Sequence, residues 1–429
     1  MNCLPSNWNI DRLKDVAGIN LSALPASTDP DYEFDYVEIS NVDYYGFVDP
    51  NAIERLRYED APSRARRIVA KNNIMISSVR PNLQAVAFAS DDREHFICST
   101  GFNVVQPLEA KLLPKFTYYA LISEEARQYF EATATGVGYP AMGDKDFGKM
   151  VVPLPPLPEQ KRIAAYLDAS CAAIDAAVGA KRNQLETLDA MRDSLIESAI
   201  TSGIQPGIRC RQINEDWIGE IPEHWGVCKI KRVVSQVDYG ISESSKPEGK
   251  FPVLKMGNIQ SGEIVFSKIE FVEEIFEDLL LENGDLLYNR TNSPDQVGKA
   301  AVFRGSKADG ITFASYLVRL RTNHRAHPYF MNYLLNSCGF LAFARKLAIP
   351  SVQQSNLNST RYCQMLISLP PRKEQEIICA HLDAKLGDMK KIVSAINQQI
   401  VTLIAYRKSL IHECVTGQRR ITEEDVARL

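Results

Sequence analysis

Two short stretches place an arginine among planar amides directly after an apolar run: SVRPNLQ at positions 78–84 and YNRTN at 288–292. A second pair of polar stretches follows in each half, TGVGY at 135–139 and SVQQSN at 351–356. Guanidinium groups pair bidentately with guanine, and side-chain amides pair with adenine. Loops on a rigid frame are where such contacts vary without cost to the fold. Base-contact candidates are therefore Arg80, Asn82, Gln84 and Tyr139 in the first half. In the second half they are Asn289, Arg290, Asn292, Gln353, Gln354 and Asn356. RLRYEDAPSRARRIVAK, positions 55–71, carries six basic and two acidic residues, and Arg64, Arg66, Arg67 and Lys71 are candidates for phosphate contact. Each of these stretches also reads as a solvated turn, and residue type alone does not decide between the two.

Covalent chemistry is harder to find. A nucleotide-binding P-loop needs Gly-x-x-x-x-Gly-Lys-Ser/Thr, whereas Gly298-Lys299 is followed by Ala300 and lacks the upstream glycine. An amino-methyltransferase would need a glycine-rich cofactor loop and an Asp/Asn-Pro-Pro-aromatic motif. The nearest strings, Gly136-Val137-Gly138 and Asp29-Pro30-Asp31-Tyr32, have the wrong form. Glu109-Ala110-Lys111 and Glu248-Gly249-Lys250 are nuclease-like triplets of a kind that arises often by chance. His324 and His327 have no third ligand nearby in sequence. The nine cysteines are scattered, with no Cys-x-x-Cys pair, which fits free thiols in a reducing compartment. A noncatalytic chain without metal or cofactor is expected, and a cytoplasmic one, since no signal segment and no unbroken run of 18 apolar residues is present.

The elements that would carry the candidate loops come in two copies. LPPLPEQKRIAAYLDA at 154–169 returns as LPPRKEQEIICAHLDA at 369–384, and 154–201 matches 369–416 at 21 of 48 positions. A weaker echo opens each half, LPSNWNIDRLKDV at 4–16 and IPEHWGVCKIKRV at 221–233, with Trp8 opposite Trp225. The segments between diverge. A length of 429 residues and a net charge of −4 suit a multidomain globular chain with, at most, local basic patches.

The repeated phrase reads as the start of a long helix. Prolines stop the preceding strand and are tolerated in a first turn, where Glu159 and Glu374 favour the positive end of the helix dipole. Met389, Ile396, Leu403 and Leu410 recur every seven residues, flanked by Val393 and Ile400. Ile174, Val178, Leu185, Leu188 and Leu195 occupy the same register in the first copy, interrupted by Lys181. Such an a/d seam predicts that the two helices pair as an antiparallel coiled coil with pseudo-twofold symmetry, ending at Gly203 and Gly417. Each helix packing on its own domain is the alternative.

The divergent heads read as mixed α/β. Strand-like runs lie at 36–39, 74–76, 85–88 and 104–105, with counterparts at 253–256, 286–288, 300–303 and 316–320. Helices are expected at 116–123 and 329–336. The expected organisation is a first head at 1–153, a connector helix at 154–203 and a second head at 204–368 that opens on a linker reaching about Asp216. A second connector at 369–417 and a tail at 418–429 complete it.

These features resemble the DNA-specificity subunit of Type I restriction–modification systems. The repeated PLPPLPEQKRIAAYLD and SLPPRKEQEIICAHLD, the paired LPSNW and IPEHW openings and the half-length periodicity carry the resemblance. It implies two target recognition domains, each reading one half of an asymmetric bipartite site in double-stranded DNA. It also implies helices that dock methyltransferase subunits, two of them expected, with restriction subunits joining in some assemblies. The second copy departs from the pattern with Arg372-Lys373 in place of Leu157-Pro158. A solitary DNA-binding or protein-scaffold homologue acting without a restriction subunit is the alternative.

Overall fold

The computed structural model describes every residue except 1–3, 43–47, 84, 92, 137, 139, 216, 352, 353 and 429. Gln84, Tyr139 and Gln353 lie outside the described residues. The chain divides into two compact units, Met1–Arg182 with Asn397–Leu429, and Asn183–Ile396.

In the first unit the hydrophobic runs form a four-stranded antiparallel sheet in the order 17–19, 102–107, 74–77, 86–88. Its central strand, Ile74–Ser77, is buried throughout, as a strand covered on both faces must be. Beside it lies a second sheet in the order 54–57, 33–37, 96–99, 65–68, in which 33–37 and 96–99 run parallel. Helices Pro114–Leu121 and Glu124–Thr133 follow. Proline at the first helical position and Ser123, whose hydroxyl accepts the Ala126 amide, set their starts.

The second unit repeats the plan with other residues. Its main antiparallel sheet runs 234–239, 317–322, 286–289, 300–302, again with a fully buried central strand, Leu286–Asn289. A smaller sheet pairs 251–254 in parallel with 312–313. Helices Pro328–Leu335 and Cys338–Leu347 stand where the first head has its pair, and Ser337 caps the second of them. The stretch expected to be a linker is partly folded: Cys210–Gln212 pairs with Glu220–Pro222, and Trp217 and Ile218 enter the core. Alternation is too short there to show a strand, and burial of Trp217 supplies what local pattern does not. The expected tail also folds, with Ile421 buried and Glu423–Ala427 helical.

Two helices, Leu157–Thr201 and Arg372–Val415, follow the heads. In the first unit the beginning of one lies with the end of the other. Ile163, Leu167, Cys171, Ile174 and Val178 share a core with Leu410, Ile411, Cys414 and Val415, and Arg407 reaches Asp175 at 3.0 Å. In the second unit the roles exchange: Ala199 and Ile200 share a core with Ile378, Cys379 and Leu382, and the Ser368 hydroxyl donates to the Ile200 carbonyl. The helices therefore pair antiparallel. Of the expected seam, Ile174, Val178, Ile396 and Leu410 are buried, whereas Leu185, Leu188, Leu195, Met389 and Leu403 are half-buried. The first helix contains an 18-residue window apolar enough to cross a membrane by length and composition, only a third of it buried. An Ala-rich face produces that composition without any unbroken apolar run. Its larger apolar side chains pack on the head and on the other helix, and Asp168 within it accepts from Tyr119 and Lys115.

The repeated phrase acts as a clamp. Gln160 is fully buried; its carbonyl oxygen accepts the Leu113 amide at 2.8 Å, and its amide donates to the carbonyls of Lys111 and Pro155. Gln375 makes the same three bonds to His327, Arg325 and Pro370. Leu113 and His327 are the residues that precede the paired helices of the heads. A strand near the start of each head also pairs with the last one, 9–12 with 151–154 and 226–229 with 366–369. Glu374 accepts from Trp225 Nε1 at 3.1 Å, and Gly203, at φ +76°, leaves room for that indole. In the first head Glu159 accepts from Asn7 and Arg420, and Gly417 takes the same φ against Pro5 and Trp8.

Candidate nucleic-acid interface

Each head brings its two candidate loops together. In the first, the loop after the central strand meets the loop before the connector. The Met142 amide donates to the Ser78 carbonyl at 2.9 Å, the Arg80 amide donates to the Pro140 carbonyl, and Val79 bridges to Ala141. The Arg80 guanidinium donates through Nε and Nη2 to the Gly138 carbonyl at 3.2 and 2.9 Å. Gly136 and Gly138 have φ of +119° and +83°, values that L side chains rarely adopt, so this loop needs its glycines. Asn82 lies in the short 3-10 turn Pro81–Leu83 that follows Arg80.

The second head joins the matching loops as a small sheet. Thr291 and Asn292 pair with Asn356 and Ser355, and 354–356 pairs back on 349–351. Asn356 donates to the Thr291 hydroxyl at 2.9 Å, and Asn292 accepts from the Ser293 amide. Gln354 is exposed and Arg290 half-buried. Beneath them Tyr288 stacks on Tyr362 with ring centroids 3.9 Å apart, and burial pushes both hydroxyls well above their ordinary range. Asn289 does not meet the expectation placed on it. It is fully buried, its amide directed to the Gln296 carbonyl at 3.4 Å, because it closes a buried central strand whose last side chain points inward.

The basic stretch is less free than its composition suggests. Arg55 and Arg57 pair with Glu33, Asp35, Asp31 and Asp60. Arg64 pairs with Glu38, Arg67 lies 3.7 Å from Asp144, and Arg66 stacks over Tyr58 at 4.5 Å. Lys71 is exposed. Strand pairing of 33–37 with 54–57 brings acids from one run against bases of the other, which linear charge counting cannot see. Sequence reasoning also missed Tyr239, which lies beside the Arg290 guanidinium, and Ser359, which bonds the Tyr239 hydroxyl; no local motif marks them. Among the described residues no group of three or more His, Cys, Asp and Glu is placed to hold a metal ion.

Residues 5–187 match the family described as the Type I restriction modification DNA specificity domain. That segment, less than half of the chain, is similar to the Type I specificity domain. The chain is 29% identical over 205 residues to a type I restriction enzyme MjaX specificity subunit of Methanocaldococcus jannaschii, covering 46% of this chain and about half of that relative, 47%. The type I restriction enzyme MjaVIII specificity subunit of the same organism is 26% identical over 313 residues, 71% of this chain and 70% of the relative. Among solved structures, a chain described in work on complex assembly and conformational transition of the type I R-M system superposes with a TM-score of 0.79 at 21% identity, covering 98% of this chain and 100% of that one. That likeness concerns the fold.

Proposed function

We propose that each head reads one half of an asymmetric, bipartite double-stranded DNA site, and that the two long helices dock two methyltransferase subunits, to which restriction subunits add. The observation that carries this reading is the shared frame with unshared loops. Both heads join a loop after the central strand to a loop before the connector, yet one does so with glycines and Arg80 and the other with a strand pair around Arg290. Equal frames with different polar edges suit two different half-sites. Support for docking comes from apolar side chains left at the helix surfaces: Met191 and Ile392 in the second unit, Val401 and Tyr406 in the first. The cytoplasm, where DNA and free thiols coexist, is the compartment proposed. The test is a replacement of residues 1–153 by the first head of another family member, followed by mapping of methylated sites in cells that supply the methyltransferase. One half-site should change and the other persist. If both halves change together, the heads are not independent readers.

A further inference from the structure

We propose that Arg290 reads a guanine in the half-site of the second head, and that Tyr239 is the residue that positions it. The inference rests on the DNA-reading role just given and adds a reader, its base and its support. Arg290 is pinned at the backbone on both sides: its N–H donates to the Tyr316 carbonyl at 3.0 Å, and its carbonyl accepts the Leu357 amide at 2.8 Å. Its guanidinium carbon lies 5.1 Å from the centroid of the Tyr239 ring. Tyr239 is itself tethered, sharing a hydrogen bond with the Ser359 hydroxyl at 2.8 Å and accepting from the Ser359 amide at 3.5 Å. The ring remains 42% exposed, so this stack stands at the surface rather than in the core.

Charge separates Arg290 from its neighbours. Arg319 is neutralised by Asp238 at 2.6 Å, and Arg321 by Asp285 at 2.7 Å. Among the described residues no carboxylate lies within 4.0 Å of the Arg290 guanidinium. Among the described residues the guanidinium makes one hydrogen bond, from Nη1 to the Ser315 carbonyl at 3.5 Å, at the long limit, and Nε is buried without a partner. The terminal N–H groups of the guanidinium, held by no more than this long bond, are the ones left for an external acceptor. A phosphate would accept a mobile point charge equally well. A guanidinium whose plane is fixed by a ring and whose backbone is held twice is instead prepared for an acceptor pair of fixed direction, such as O6 and N7 of guanine. The stack lowers the ordering cost of that contact. Thr291, the next residue, pairs with Asn356, which joins this reader to the second loop. The first head holds Arg80 differently, on the Gly138 carbonyl, so the two heads do not share this device.

The full chain, wild type and variants, is used to select duplexes from a randomised pool, and enrichment at every base pair is read by sequencing. The wild type should prefer guanine at one position of one half-site, and Arg290→Lys should reduce that preference by about 10-fold while leaving other positions unchanged. Tyr239→Ala should do the same and Tyr239→Phe should retain the preference, because the ring remains. Thermal unfolding checks that each variant is folded, and Arg290→Lys carries the test alone where Tyr239→Ala is not. A uniform loss of affinity with a shallower salt dependence would assign Arg290 to a phosphate and overturn the proposal. An unchanged profile overturns it too, and Tyr239→Phe behaving like Tyr239→Ala removes the positioning role of the ring. A wild-type chain that selects no sequence at all defeats the DNA-reading role itself, an outcome distinguishable from these.

Discussion

Replacing Gln160 by alanine should destabilise the first unit and leave the second nearly untouched. Gln160 has no exposed surface and satisfies three backbone groups: the Leu113 amide and the carbonyls of Lys111 and Pro155. Removing it leaves one part-buried N–H and two carbonyls, that of Pro155 buried, without these partners. An orphaned buried group costs about 1–3 kcal/mol, the N–H most and a carbonyl less, so the sum should be about 3–4 kcal/mol. At about 2–4 °C per kcal/mol for a domain of roughly 150–250 residues, the melting transition of that unit should fall by about 10 °C. Gln160→Glu should be worse, because a carboxyl group cannot donate to both carbonyls and its ionised form would face them. Calorimetry would resolve the transition of the first unit moving away from that of the second, where Gln375 keeps its own three bonds. A Gln160→Ala chain that melts within about 2 °C of wild type would show that water or local rearrangement replaces the amide, and the clamp argument would fail.

Acid should weaken the second unit through His327, whose pKa is lowered by burial and then by nearby Arg372. The unfolded chain takes the proton near the ordinary histidine value, about 6.5, and the folded one resists it, so stability should fall as pH drops below that value. His327→Gln should flatten the urea midpoint between about pH 7.5 and 5.5; an unchanged slope refutes it. Thiol labelling at about pH 8 should mark exposed Cys210 first and leave Cys98, Cys379 and Cys414 slow, since burial pushes each of those up to about 12 and keeps it protonated. Comparable rates for all of them would contradict the packing. Leu403→Asp places a charge on the half-buried seam and should cost about 1–2 kcal/mol, together with a measurable loss of methyltransferase binding in a pull-down; full retention would remove Leu403 from the seam. Alanine at Arg64, Arg66, Arg67 and Lys71 together should flatten the salt dependence of DNA binding by about two contacts, those of Arg66 and Lys71, because Arg64 and Arg67 already face carboxylates. A loss of four contacts in the slope would show that those ion pairs open on DNA.

The frame was more legible in the sequence than the reading edge. Duplication exposed the long helices, and apolar runs such as 74–76 and 286–288 found the central strands, because a strand buried on both faces is apolar without interruption. The role of the repeated glutamine was not legible, since its partners are backbone groups about 50 residues away. Asn289 misled because its polarity argues for the surface, whereas it lies at the end of a strand whose residues are all buried. The pairing of Arg64 was not legible for another reason: Glu38, its partner, is remote in sequence. Tyr239 was invisible because an aromatic residue at a strand end reads as packing until the arginine above it is seen.

A glycine at a helix end packs against an opening tryptophan in both units. In the second unit Gly203 and Trp225 meet across a short covalent stretch, whereas in the first unit Gly417 meets Trp8 with no peptide bond joining those segments. The same lock forms with and without continuity. What holds the ends in place is packing, aided by Arg420 on Glu159 and on Asn7. Each unit thus closes its ends by packing, whether or not a short covalent stretch joins the two partners.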